Sequence, residues 1–171
     1  MMEKMERAQT CTFTGHRENK LPWGADENDP RCRRLKERIY DAAEAAYRAG
    51  ARHYICGMAS GCDLFFCEAV QQLRAEHPEI TIEAAIPYEG QSRSWPERQR
   101  RRWERLVTDC DYQTVVRKNY TPDCMQRRNE YMVDSSGILI AAYNGAPGGT
   151  RNTLLYAMRS GLQIVELPME D

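Results

Sequence analysis

The chain has 171 residues, 24 basic and 25 acidic side chains and a formal net charge of −1, which suits one domain with a single core. The charge balance gives no overall pull toward nucleic acid or an anionic membrane, and no apolar run is long enough to span a bilayer. The cysteines (Cys11, Cys32, Cys56, Cys62, Cys67, Cys110 and Cys124) number seven, form no C-x-x-C pair and follow a polar start with no secretory pattern, so the expectation is a reduced, cytoplasmic protein with structural thiols.

After a mobile start, residues 11–14 read as a short strand, and 18–30 as a polar loop. Residues 31–49 read as a helix, because Leu35, Ile39, Ala42, Ala43 and Ala46 recur on one face and Gly50 supplies a C′ glycine. A strand at 53–56, a largely buried helix at 63–75 and a strand at 80–86 follow. Residues 95–108 predict a basic helix with Pro96 in its first turn. Its arginines spread around the helix, with Trp95, Trp103 and Leu106 turned inward, which favours a solvated face over a nucleic-acid patch. A strand at 112–117, a helix at 122–134, an apolar and therefore central strand at 137–142, a helix at 150–160 and a last strand at 163–167 complete the chain. The alternation predicts an α/β fold: a Rossmann-like three-layer sandwich, one domain over 1–171, with a mostly parallel central sheet covered on both faces.

Four polar or glycine-bearing segments each follow a strand, and parallel strands place them along one sheet edge, where open α/β sheets bind ligands. In the segment 57–63, Gly57 and Gly61 permit close backbone approach, with Ala59 between them. The N–H groups around Ser60 to Cys62 open a helix and favour an anion; alternatively, Ser60 or Asp63 only caps that helix. Asp63 repels phosphate in this place and suits ribose hydroxyls, while Glu68 falls on the helix flank. Asn144 to Thr150 is a second turn of this kind, in which Gly148, Gly149 and Thr150 offer consecutive N–H groups and a hydroxyl. Thr14, Gly15, His16 and Arg17 add a hydroxyl, an imidazole and a guanidinium fork; His16 has no orienting carboxylate in view, which favours binding over proton transfer. Pro87 opens the fourth segment, followed by Tyr88, Glu89 and Gly90. Arg128 and Asn129, early in their helix, either reach the same edge or are solvated. His53, Cys56, Cys62 and Cys67 match no zinc-module spacing, so no metal is expected.

Together these residues resemble the SLOG superfamily of Rossmann-like proteins, and within it the YpsA-type family of bacterial and phage proteins. The carriers are Thr14-Gly15-His16-Arg17, the segment from Gly57 to Asp63, Arg128-Asn129 with Met132-Val133-Asp134, and Gly148-Gly149-Thr150 followed by Thr153 and Tyr156-Ala157. The resemblance implies a nucleotide or nucleotide-sugar pocket lined by the two glycine turns. LOG-type phosphoribohydrolases of the same superfamily carry a catalytic Glu after their Pro-Gly-Gly-x-Gly-Thr motif. The corresponding positions here are Leu154 and Leu155, which cannot serve as acid or base; Asp63 or Glu68 would have to substitute. DprA-type proteins share an Arg-Asn helix and bind single-stranded DNA, but no aromatic stacking platform stands out beside a basic groove in this sequence.

The leading expectation is therefore binding or sensing of a nucleotide-derived small molecule, such as an ADP-ribose- or NAD-like compound, with no cofactor required. The alternatives are hydrolysis of an N-glycosidic or phosphoribosyl bond and, last, binding of single-stranded DNA. Nucleic acid and membrane are not expected partners, and a homodimer or other homo-oligomer is the base expectation.

Overall fold

The computed structural model describes residues 6–169; residues 1–5 of the expected mobile start lie outside them, and the rest is corrected, because Arg7–Gln9 form a 3-10 turn and Thr10 is buried at the start of the first strand. Six strands form one wholly parallel sheet in the order β4-β3-β2-β1-β5-β6. They are β1 (Thr10–Gly15), β2 (His53–Cys56), β3 (Thr81–Tyr88), β4 (Tyr112–Arg117), β5 (Ile138–Ala142) and β6 (Gln163–Leu167). Five helices connect them: α1 (Pro30–Arg48), α2 (Cys62–Glu76), α3 (Glu97–Thr108), α4 (Cys124–Asp134) and α5 (Gly149–Arg159).

Local chemistry sets the helix starts. Asp29 caps α1 by accepting from the Arg31 N–H at 2.8 Å, with Pro30 at the first helical position, where no N–H donor is needed. The starts of α3 and α4 come two residues later than their sequence patterns suggest. Pro96 is an extended N-cap rather than a first-turn residue. Thr121 and Asp123 close a turn before Cys124 instead of joining the helix. Within the expected loop at 18–30, Glu18–Lys20 folds into a 3-10 turn. Strand β3 runs two residues further than expected, through Pro87. Its register with β2 ends at Ala84, so Pro87 has to donate nothing on that side.

The pleat divides the core. Ile138, Ile140 and Ala142 of β5 join the main apolar cluster with Phe13, Tyr54, Phe66, Leu35 and Ile39 beneath α1 and α2. Leu139 and Ala141 point the other way, into the cluster under α4 and α5 with Val133, Leu154 and Ala157. As the sequence pattern predicts, Leu106 is buried, and Trp95 and Trp103 pack against the main cluster.

The sheet order fixes where a crevice must open. From β1 the chain steps through α1 to β2 and on to the β4 edge, then returns over the sheet to β5 on the other side of β1. The strand order therefore reverses between β1 and β5. The carboxyl end of such a switch point is where the two flanking connections splay apart.

Candidate functional site

A cleft of about 340 Å³ opens at this switch point, within the roughly 300–1,000 Å³ typical of small-ligand pockets. Its walls come from four stretches distant in sequence. The end of β1 gives Thr14, Gly15, His16 and Arg17, and the turn after it Asn19 and Lys20. The start of α2 gives Ala59 and Asp63. Helix α4 gives Met125, Arg128, Asn129 and Met132, and the start of α5 gives Gly149 and Thr150. The two glycine turns thus converge on one cavity, as expected from sequence.

The β2–α2 turn is held under constraint. Met58 has φ 61° and is wholly buried, an unfavourable conformation for an L-residue that its surroundings must over-determine. Gly61, at φ 85°, is required twice over: a Cβ there would stand 2.9 Å from both Arg17 Cα and His16 O. This close approach locks the turn against the end of β1, where the Cys62 N–H donates to His16 O at 3.2 Å. The Ala59 N–H donates to Asp63 Oδ2 at 3.2 Å. Of the amides expected to form an anion nest at Ser60 to Cys62, the Cys62 N–H is thus taken by the His16 carbonyl, and none of these three residues lines the cleft.

Asp63 and Arg128 form the buried polar floor, 7% and 3% exposed. The Arg128 guanidinium donates to the Gly57 carbonyl and, through Nε, to Asn129 Oδ1 at 2.8 Å. Arg128 therefore reaches the sheet edge rather than solvent. Gly57 contributes its carbonyl but no cleft wall, and a Cβ there would crowd Asp63 Oδ2 at 3.0 Å and Arg128 Cζ at 3.2 Å. Burial pushes the Asp63 carboxyl above its ordinary range; the facing Arg128, the Ala59 N–H and Arg17 pull it down without cancelling that effect. Burial likewise lowers the Arg128 value, against the attraction of Asp63.

His16 does have an orienting partner, and it is an amide. Its Nε2 lies 2.9 Å from Asn144 Oδ1, and the same oxygen accepts the Ala146 N–H at 3.0 Å. A backbone N–H can only donate, so the atom facing both groups is the amide oxygen and His16 Nε2 carries the proton. Nδ1 is then an acceptor facing the Thr150 hydroxyl at 3.5 Å. Burial lowers the imidazole pKa, the Asn144 bond raises it and Lys20 lowers it, for a net fall. The net fall favours the uncharged ring. Asn144 acts through His16 and does not line the cleft. Gly148, at φ 142°, turns the chain into α5 outside the cleft, and a Cβ on it would meet Lys20 Nζ at 2.6 Å.

Two other expected residues lie elsewhere. Glu68 is bound to Arg102 at 2.5 Å, with Arg105 at 3.7 Å, on the α2–α3 side. Its carboxylate serves helix packing and is not available as a cleft acid. Pro87 is buried within β3. Conversely, Asn19, Lys20 and Met125 line the cleft without a signal in the sequence, and Met132, which the resemblance named, lines it as well. Lys20 is brought in by the 3-10 turn, which carries no periodic signature. A larger groove of about 900 Å³ runs between residues 25–28 and α3. The Arg102 guanidinium there is already satisfied by Glu27 at 2.6 Å and by Glu68, so it offers an incoming anion little. Among the described residues no cluster of three or more His, Cys, Asp or Glu side chains could hold a metal. No helix there is long and apolar enough to cross a membrane, and all seven cysteines are free.

Comparison with known proteins agrees with this architecture. The model of the YspA SLOG family matches residues 11–164. The prophage-derived protein YoqJ of Bacillus subtilis is 31% identical over 147 residues, covering 78% of this chain and 86% of that protein. A UPF0398 protein of Bacillus thuringiensis is 22% identical over 154 residues, covering 88% and 83%. Among solved structures, DNA processing protein A from Helicobacter pylori, described for its single-stranded DNA binding mode, superposes with a TM-score of 0.60 at 14% identity. It covers 96% of this chain and 67% of its own, and at that identity the likeness speaks for the fold.

Proposed function

We propose, on the premise that this chain belongs to the YspA SLOG family, that its switch-point cleft binds a nucleotide-derived small molecule carrying phosphate and ribose. One observation carries the reading: Arg17, Lys20 and Arg128 meet the α5 start at Gly149 and Thr150 in a cavity whose floor also holds Asp63. Two exposed cations and the amides of a helix start suit phosphate. A buried carboxylate suits ribose hydroxyls, which donate hydrogen bonds to it.

A thermal-shift panel of adenine and guanine nucleotides, dinucleotides and ADP-ribose tests this. A ligand at a hundred times its Kd adds about 2.7 kcal/mol of stability. Arg17→Ala, at an exposed position, removes charge-assisted bonds and weakens binding about tenfold or more. No stabilisation by any member of the panel would contradict the proposal.

Asp63 favours a second reading, cleavage of an N-glycosidic bond. A carboxyl raised by burial is suited to protonate a leaving base. Release of free base from nucleoside monophosphates or NAD is the assay, and activity unchanged in Asp63→Asn would remove Asp63 from the chemistry. The structural neighbour is described as binding single-stranded DNA, so the expectation that nucleic acid is not a partner is not retained.

A further inference from the structure

Resting on the cleft as a phosphate–ribose site, we infer that Tyr88 and Tyr120 form a stacking platform for a nucleobase at the far end of the same sheet edge. Tyr88 ends β3, and Tyr120 stands just before the turn that opens α4, the helix forming one wall of the cleft. Their rings meet edge to face, with centroids 5.4 Å apart and an interplanar angle of 84°. Tyr120 is 62% exposed, the most exposed large hydrophobic side chain of the described chain. The Tyr120 ring is largely open to solvent while it packs against one neighbouring ring. It offers a flat face to any π-system.

The surroundings suit a phosphate ester. Arg117, in register with Tyr88, and Lys118 are both exposed beside the pair. The nearby carboxylates are Asp123, 3.9 Å from the Arg117 guanidinium, and the exposed Glu89, whose N–H donates to Arg117 O. Of the two, only the Asp123 carboxylate approaches the Arg117 guanidinium, and Arg117 stays exposed. The position also fits. The Gly57 carbonyl that binds Arg128 lies just beyond β2, and β3 is the next strand over. Adjacent strands lie about 4.8 Å apart, so Tyr88, two strands from β1, stands about 10 Å across the edge from the β1 loop, with Tyr120 beyond it past the end of β4. A ligand with its phosphate at Arg17 and Thr150 and a base on Tyr120 is therefore extended: a dinucleotide-like small molecule or a single strand. Both supply the same chemistry, an unpaired base on a phosphate ester.

Equilibrium titration of ribose 5-phosphate, ADP-ribose and a short oligodeoxyadenylate, against wild type, Tyr120→Ala and Tyr120→Phe, tests the inference. Removing one stacking ring weakens base-bearing ligands about tenfold or more, leaves ribose 5-phosphate unchanged, and is reversed in Tyr120→Phe. A loss for ADP-ribose identifies the small molecule, and a loss confined to the oligonucleotide identifies the strand; either supports the platform. Equal affinities of Tyr120→Ala and wild type for both base-bearing ligands would overturn it, even with ribose 5-phosphate bound. Failure of ribose 5-phosphate to bind, with Arg17→Ala silent, would instead overturn the cleft reading on which the inference rests.

Discussion

Single residues in this protein carry unequal structural weight, and glycine is the clearest case. Gly61 is fixed by its positive φ and by the backbone of Arg17 and His16 against it, whereas Gly149 has open space around it. Gly61→Ala therefore costs about 1–3 kcal/mol of stability, measurable as a lowered denaturation midpoint. It also loosens the cleft, because the same contact aligns α2 with β1. A second buried constellation is structural: Glu83, 2% exposed, accepts from His53 at 2.8 Å, from Thr114 at 2.7 Å and from Tyr131. Burial pushes this carboxyl up, but the bonds from His53, Tyr131 and Thr114 outweigh it and hold the pKa below the ordinary 4.5. A depressed folded-state value means the stabilisation is complete above about 4.5 and fades as pH falls through the folded value. Glu83→Gln should lose about 2 kcal/mol at neutral pH and show a flatter acid limb in urea denaturation. An unchanged acid limb would show that Glu83 does not supply it.

Among the elements, α5 carries the two positions that correspond to the phosphoribohydrolase Glu. Leu154 is 4% exposed within the cluster beneath α4 and α5, and Leu155 is 39% exposed on the outer face. Neither lines the cleft. Leu154→Glu places an unpaired charge in a core and is expected to cost about 3 kcal/mol or more. Leu155→Glu is expected to stay within about 0.5 kcal/mol of wild type and to create no base-releasing activity. Thermal melts and a base-release assay check both. Element boundaries also mark the limits of sequence reading. Strands β2, β4 and β6 fall where alternation and turn residues put them. The starts of α3 and α4 do not, because Pro96 and the Thr121–Asp123 turn decide them through backbone geometry that apolar periodicity does not register. For the same reason Lys20 was missed: its place in the cleft depends on one 3-10 turn.

Across the whole molecule, the sheet order explains why the site was partly legible. Glycine turns after parallel strands predict a shared edge, and the reversal between β1 and β5 gathers Thr14 to Arg17, Ala59, Asp63 and Thr150 there. Topology alone could not tell which residues line the cleft and which brace it. Gly57, Gly61 and Asn144 proved to brace, Glu68 to pair with α3, and Arg128 to turn inward as part of the floor. Nor could it reveal Tyr88 and Tyr120 as a pair, since 31 intervening residues carry one ring to the other only once β3 and β4 align.

The most direct test of the cleft is a crystal structure of the chain grown with ADP-ribose. The account predicts ligand density between the β1 loop and the start of α5, with a phosphate group against Arg17, Lys20 or Thr150 and a ribose hydroxyl facing Asp63. Density seated instead in the groove between residues 25–28 and α3, with the switch-point cleft empty, would contradict it.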